Sequence, residues 1–126
     1  MPVMQRPLRI AVVDDNEDIR VLIGLHLDLD ERFECTAQVG SGTEAIALVD
    51  RTDIDAMILD MHMPGVSGSE VLRALRAAQS PVRVIAFSAD LQTLEEAALE
   101  GAAATVLKGE TLDGLVAALL VEQTVS

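Results

Sequence analysis

The chain has 126 residues, the size of one ordinary domain with a core of its own. Its formal charge of −12 argues against a grip on nucleic acid or an anionic membrane, since both demand basic patches, and favours divalent cations or basic and neutral partners. Half of the residues are apolar, yet no stretch is uniformly apolar for the roughly 18 residues of a membrane helix, and no basic region precedes an apolar run as in a signal peptide. A cytoplasmic protein is expected.

In chain order, Met1 to Pro7 holds two prolines and no periodic pattern and is read as a flexible tail. Leu8 to Val13 is a first apolar strand, ended by Asp14-Asp15-Asn16. Asn16 is a good N-cap, Glu17 and Asp18 suit a positive first turn, and Ile19, Leu22, Ile23 and Leu27 continue at helical spacing, predicting a helix to about Asp30. Gly24 inside it has no functional reading, and His26 is expected as an exposed helix residue. Phe33 to Val39 predicts strand two, with Cys35 as a buried strand residue. Gly40-Ser41-Gly42-Thr43 turns into a helix from Glu44 to Asp50. That GSG lacks the length and lysine of a P-loop and the third glycine of a dinucleotide fingerprint.

Ala56 to Asp60 is the central strand. Met57-Ile58-Leu59 is short and unbroken, as in a strand covered on both faces. The Pro64-Gly65 turn that follows leaves Asp60 at the strand's carboxyl end, where open α/β sheets bind ligands. Ser69 to Ala78 predicts helix three, Val82 to Phe87 strand four ending in Ser88-Ala89-Asp90, Leu91 to Glu100 helix four, and Ala103 to Leu107 a short strand ending at Lys108-Gly109. Thr111 opens helix five, whose Leu112, Leu115, Val116, Leu119 and Leu120 form one apolar stripe.

Strict alternation of five strands and five helices implies a doubly wound α/β fold, a parallel sheet in the flavodoxin-like order 2-1-3-4-5. The domain is placed at residues 8–122, with 123–126 as a C-terminal tail. Every predicted strand but the second ends in a residue with chemical capacity: Asp14 and Asp15, Asp60, Ser88 and Lys108. Lys108 is the only lysine beside eight arginines, which suits a role for a compact point charge. Any one of these residues has an ordinary explanation as a strand-end turn residue; five at corresponding ends do not. Three carboxylates on adjacent loops repel one another unless a cation sits among them, and Mg²⁺ is the natural occupant.

With its DD pair, D-M-x-M-P-G-x-x-G, F-S-A and L-K-G, the chain resembles the receiver domains of two-component response regulators from Leu8 to Val121. The resemblance implies that Asp60 accepts a phosphoryl group from a histidine kinase or histidine phosphotransfer protein. It makes Asp15 a direct Mg²⁺ ligand and Asp14 one acting largely through water, with the main-chain carbonyl of His62 as a further ligand. Ser88 would hydrogen-bond one phosphoryl oxygen and Lys108 pair with another. His62 and Asp90 would flank the group and tune its loss to water, while Asp90 equally suits an N-cap of helix four. Such a domain catalyses only its own phosphorylation and dephosphorylation and regulates an output domain or protein, with a homodimer through helices four and five among the possibilities. The family usually has an aromatic residue where this chain has Thr105, and many relatives have a proline at Gly109.

Two other classes are weighed. A small Mg²⁺-dependent phosphohydrolase with an aspartyl-phosphate intermediate, of the haloacid-dehalogenase kind, needs an aspartate two residues after the nucleophile, where His62 stands. Flavin binding lacks a tryptophan or tyrosine to stack on the ring.

Overall fold

The computed structural model describes residues 6–109 and 112–121. Its elements run β1 (Leu8–Val13), α1 (Glu17–Asp28), β2 (Phe33–Val39), α2 (Gly42–Ile46), β3 (Ala56–Asp60), α3 (Gly68–Ala77), β4 (Arg83–Ser88), α4 (Leu91–Leu99), β5 (Ala104–Leu107) and α5 (Leu112–Val121). The five strands form one parallel sheet in the order β2-β1-β3-β4-β5, as the alternation predicted. Because successive side chains point to opposite faces, each strand feeds two cores. Val13, Met57, Leu59 and Ala86 pack with Leu72, Leu75 and Leu94 of α3 and α4. Ile10, Val12, Ile58, Ile85 and Val106 pack on the other face with Ile23 and Leu27 of α1 and Leu115 and Leu119 of α5. Every residue of β3 is buried, Asp60 included.

Four helices begin on side-chain caps. Asn16 accepts from Ile19 N, Ser41 from Glu44 N, Ser67 from Glu70 N and Asp90 from Gln92 N, each satisfying a first-turn donor with no partner inside the helix. The ends differ from the periodicity reading for local reasons. α1 stops at Asp28 because the carboxylate of Asp30 turns to the backbone N–H and guanidinium of Arg32. α2 stops at Ile46, not Asp50, because Leu48 N and Val49 N bond to carbonyls three residues back, a tighter and weaker winding.

The buried stripe of α1 is Ile23, Gly24 and Leu27, whereas Leu22, expected inside, is 56% exposed. At Gly24 the helix runs close to β2: a Cβ there would stand 2.4 Å from Gln38 Nε2, the end of a flexible side chain that would have to shift. Val21, Leu25 and Leu29 share the solvent side with Leu22. Cys35 is half-buried, its thiol pushed up by burial and donating weakly to the Ala37 carbonyl, which disfavours the thiolate. His26 is half-buried. Residues 1–5 of the expected tail at 1–7, the expected tail at 123–126, and Thr111 as the start of helix five lie outside the described residues; Arg6, within the first of these tails, pairs with Asp55 at 3.3 Å. Among the described residues no helix is long and apolar enough to cross a membrane.

Candidate phosphoryl site at the carboxyl edge of the sheet

β1 and β3 are neighbours, with Val13 opposite Leu59. The residues that follow, Asp14 and Asp15, therefore reach the same edge as Asp60. Asp14 and Asp60 are each 1% exposed and Ser88 is 0% exposed, the only buried polar or charged residues among those described; Asp15 is exposed. One carboxylate oxygen from each of Asp14, Asp15 and Asp60 lies within 4.8 Å of the others. Lys108 reaches in from the end of β5, its Nζ 3.2 Å from Asp60 Oδ1 and 3.7 Å from Asp14 Oδ2. Its backbone N–H donates to the Ser88 carbonyl at 2.8 Å. The structure thus gathers Asp14, Asp15, Asp60 and Lys108, and places Ser88 on the adjacent strand end.

Burial pushes the Asp60 carboxyl up to about 6; the charge of Asp14 pushes the same way, while the His62 N–H and Lys108 oppose it. The backbone N–H of His62 donates to Asp60 Oδ1 at 3.0 Å. Asp14 Oδ1 accepts from Asn16 N at 2.9 Å, and Arg20 donates to the Asp14 carbonyl at 2.7 Å, which fixes the first loop. Asp14 Oδ2 is buried with no hydrogen-bond partner. A buried, unpartnered carboxylate oxygen beside two further carboxylates fits a hard divalent cation, which prefers oxygen ligands.

Of the remaining predicted residues, Asp90 caps α4, and its backbone N–H donates to Ser88 Oγ at 3.1 Å. Thr105 is exposed on β5. Gly109 has φ +98°, a conformation closed to proline, whose φ is fixed at about −65°.

Two neighbours escaped the sequence reading. Phe87 holds its ring 5.2 Å from Lys108 Nζ; being one of two aromatic residues, directly before Ser88, was its signal. Thr93 touches His62 and Asp90; its signal was the position three residues after the cap.

Residues 10–120 match the family described as "Response regulator receiver domain". The nitrate/nitrite response regulator protein homolog of Haemophilus influenzae is 36% identical over 103 residues, 78% of this chain and 50% of that protein. NarP, the nitrate/nitrite response regulator protein of Escherichia coli, is 35% identical over 100 residues, 75% of this chain and 46% of its own length. The chain spans about half the length of these curated relatives. Among solved structures, the signal receiver domain of NarL from Mycobacterium tuberculosis superposes with a TM-score of 0.87 at 28% identity, over 97% of this chain and all of that one. The matched residues begin inside β1 and take in the other four strands and the whole acidic edge with its lysine, and the chain belongs to the response regulator receiver domains, the phosphoacceptor modules of two-component signalling.

Proposed function

We propose that Asp60 accepts a phosphoryl group from a histidine kinase or a histidine phosphotransfer protein, with Mg²⁺ as cofactor, and that the resulting change regulates an output. One observation carries this reading: Asp60 is a buried strand-end carboxylate with a single ammonium 3.2 Å away and two further carboxylates beside it. Asp14, Asp15 and Asp60, with the main-chain carbonyl of His62, would hold the metal, which when bound supplies positive charge to the transferring oxygens.

The chain's own residues do the rest. An ionised Asp60 oxygen attacks phosphorus as the bond from phosphorus to the donor's imidazole nitrogen breaks, and the donor histidine leaves with that electron pair. A carboxylate needs no general base for this step. Lys108 meets one oxygen of the transferring group. Ser88 Oγ accepts from Asp90 N, so its own hydrogen is free to donate to another.

The domain catalyses only its own phosphorylation and dephosphorylation. The phosphohydrolase alternative gains nothing from position 62, where an imidazole bonded to Thr93 stands in place of a carboxylate. A cytoplasmic setting suits the proposed donor. The greater length of the relatives supports an attached output domain, and α4 with α5 is the proposed face for a homodimer; the net charge of −12 leaves nucleic-acid contact to other segments. Incubation with a radiolabelled small acyl phosphodonor and Mg²⁺ tests the reading. One equivalent of label, lost in Asp60→Asn, is expected; label retained in that variant, or multiple turnover of a substrate, overturns it.

A further inference from the structure

A helix threonine ordinarily returns its hydroxyl to a backbone carbonyl three or four residues back. Thr93, half-buried in the first turn of α4, does something else. Its Oγ1 donates to Asp90 Oδ2 at 2.8 Å and lies 3.2 Å from His62 Nε2. A hydroxyl has one hydrogen, and Asp90 receives it, so the contact with the imidazole is made by Nε2–H donating to Thr93. The ring is thereby set in one tautomer and one orientation.

This tie completes a circuit around the β3–β4 side of the site. His62 N donates to Asp60 Oδ1 at 3.0 Å, Met61 N to the Phe87 carbonyl at 3.0 Å, and Asp90 N to Ser88 Oγ at 3.1 Å. The side chains of His62, Thr93 and Asp90 join the two loops that leave these strands. His62 is two residues from Asp60, the proposed acceptor, and Asp90 is two residues from Ser88, proposed to meet a phosphoryl oxygen. Asp90 caps Gln92 N through its other oxygen, Oδ1, so the cap does not depend on Thr93.

We propose that Thr93 is a positioning residue for His62, and that the His62–Thr93–Asp90 tie closes this side of the site and slows the loss of the phosphoryl group to water. The inference rests on Asp60 being the acceptor. In the reaction it restrains, a water oxygen bonds to phosphorus, the bond from phosphorus to the Asp60 oxygen breaks, the carboxylate is regenerated, and inorganic phosphate leaves with the water's protons. Released from Thr93, the imidazole, which is already exposed, loses its fixed position and no longer bridges the two loops.

The test compares wild type, Thr93→Val, Thr93→Ser, His62→Ala and the His62→Ala/Thr93→Val double variant. Each is labelled with a small acyl phosphodonor and Mg²⁺, freed of donor, and followed for loss of label. Thr93→Val is expected to shorten the half-life by about two- to tenfold, the factor carried by one net hydrogen bond. Thr93→Ser restores it, and Thr93→Val adds nothing once His62 is alanine. An unchanged or longer half-life in Thr93→Val, or an undiminished effect in the double variant, overturns the proposal. Imidazole ¹⁵N spectra in alkaline buffer read the positioning without any phosphate. The Nε2–H form is expected in wild type and a mixture in Thr93→Val; the same form in both overturns the role of Thr93. Wild type that takes no label overturns the acceptor reading and the shielding with it, and the spectra still decide whether Thr93 sets the ring.

Discussion

The Lys108 ammonium lies 5.2 Å from the centroid of the Phe87 ring while standing 3.2 Å from Asp60 Oδ1. Lysine has a flexible four-carbon stem, so an aromatic face beside its end narrows where the charge can go. A contact of this kind is worth about 0.5–1 kcal/mol at a partly exposed site. Phe87→Leu is therefore expected to lower the initial rate of labelling by a small phosphodonor about two- to fivefold, and Phe87→Tyr to preserve it. Equal rates in wild type and Phe87→Leu would leave the ring as packing alone.

Most of the architecture was legible because the chain alternates two periods with little ambiguity, and because strand-end chemistry follows from topology once the strands are placed. Asp14, Asp60 and Lys108 were found that way. Periodicity failed where a contact between elements decides: Leu22 was put inside because its spacing suits a helix, but α1 packs on the sheet through Ile23, Gly24 and Leu27, so that Leu22 faces water. Thr93 and Phe87 were missed for a related reason. Each matters through a side chain on another element, His62 in one case and Lys108 in the other, and no local pattern encodes that meeting.

Mg²⁺ is expected to raise the melting temperature of the wild type at neutral pH. Among the described residues Lys108 alone forms an ion pair with these clustered carboxylates, and Asp14 Oδ2 has no hydrogen-bond partner; a metal that binds only the folded state stabilises it by mass action. Asp60→Asn without metal is expected to melt about 5 °C or more above metal-free wild type, since one of three crowded charges is gone. Melts with and without millimolar Mg²⁺ decide the matter. A wild type indifferent to the metal would remove the cation from this edge.

The same carboxylate gives a pH signature. Its folded-state pKa is raised from 3.8 to about 6, so the folded protein holds this proton more tightly than the unfolded chain. The stability so contributed is present below pH 3.8 and is lost as pH rises through about 6, a loss on the order of 3 kcal/mol once complete. Carboxylates paired with arginine run the other way; Asp30 is lowered to about 2 by its hydrogen bonds from Arg32. The informative quantity is thus the difference between Asp60→Asn and wild type. Denaturant unfolding at a series of pH values without metal should show that difference growing between about pH 4 and pH 7. A difference that stays flat would mean that Asp60 is not desolvated as its burial implies.

The last prediction concerns how a phosphoryl group at Asp60 would be felt elsewhere. Thr105 is exposed, opposite Ala86 in the β4–β5 register, and its side chain is too small and too stiff at χ1 to fill space vacated by Ser88. Ser88 Oγ, by contrast, already accepts the N–H of Asp90, and Asp90 is the cap of α4 and the acceptor from Thr93. A displacement of Ser88 Oγ toward the phosphoryl group strains or breaks the bond from Asp90 N, and with it the seating of the first turn of α4. The displacement should therefore travel through residues Ser88 to Leu91 into that helix, a two-state element biased by the phosphate. Crystal structures with and without beryllofluoride and Mg²⁺ are expected to differ in the Ser88–Leu91 segment and the start of α4, with β5 unchanged around Thr105. Thr105→Ala should leave that difference intact. Rearrangement around Thr105 over a fixed Ser88–Leu91 segment would refute the route, and identical structures would mean that the domain holds its phosphate without moving.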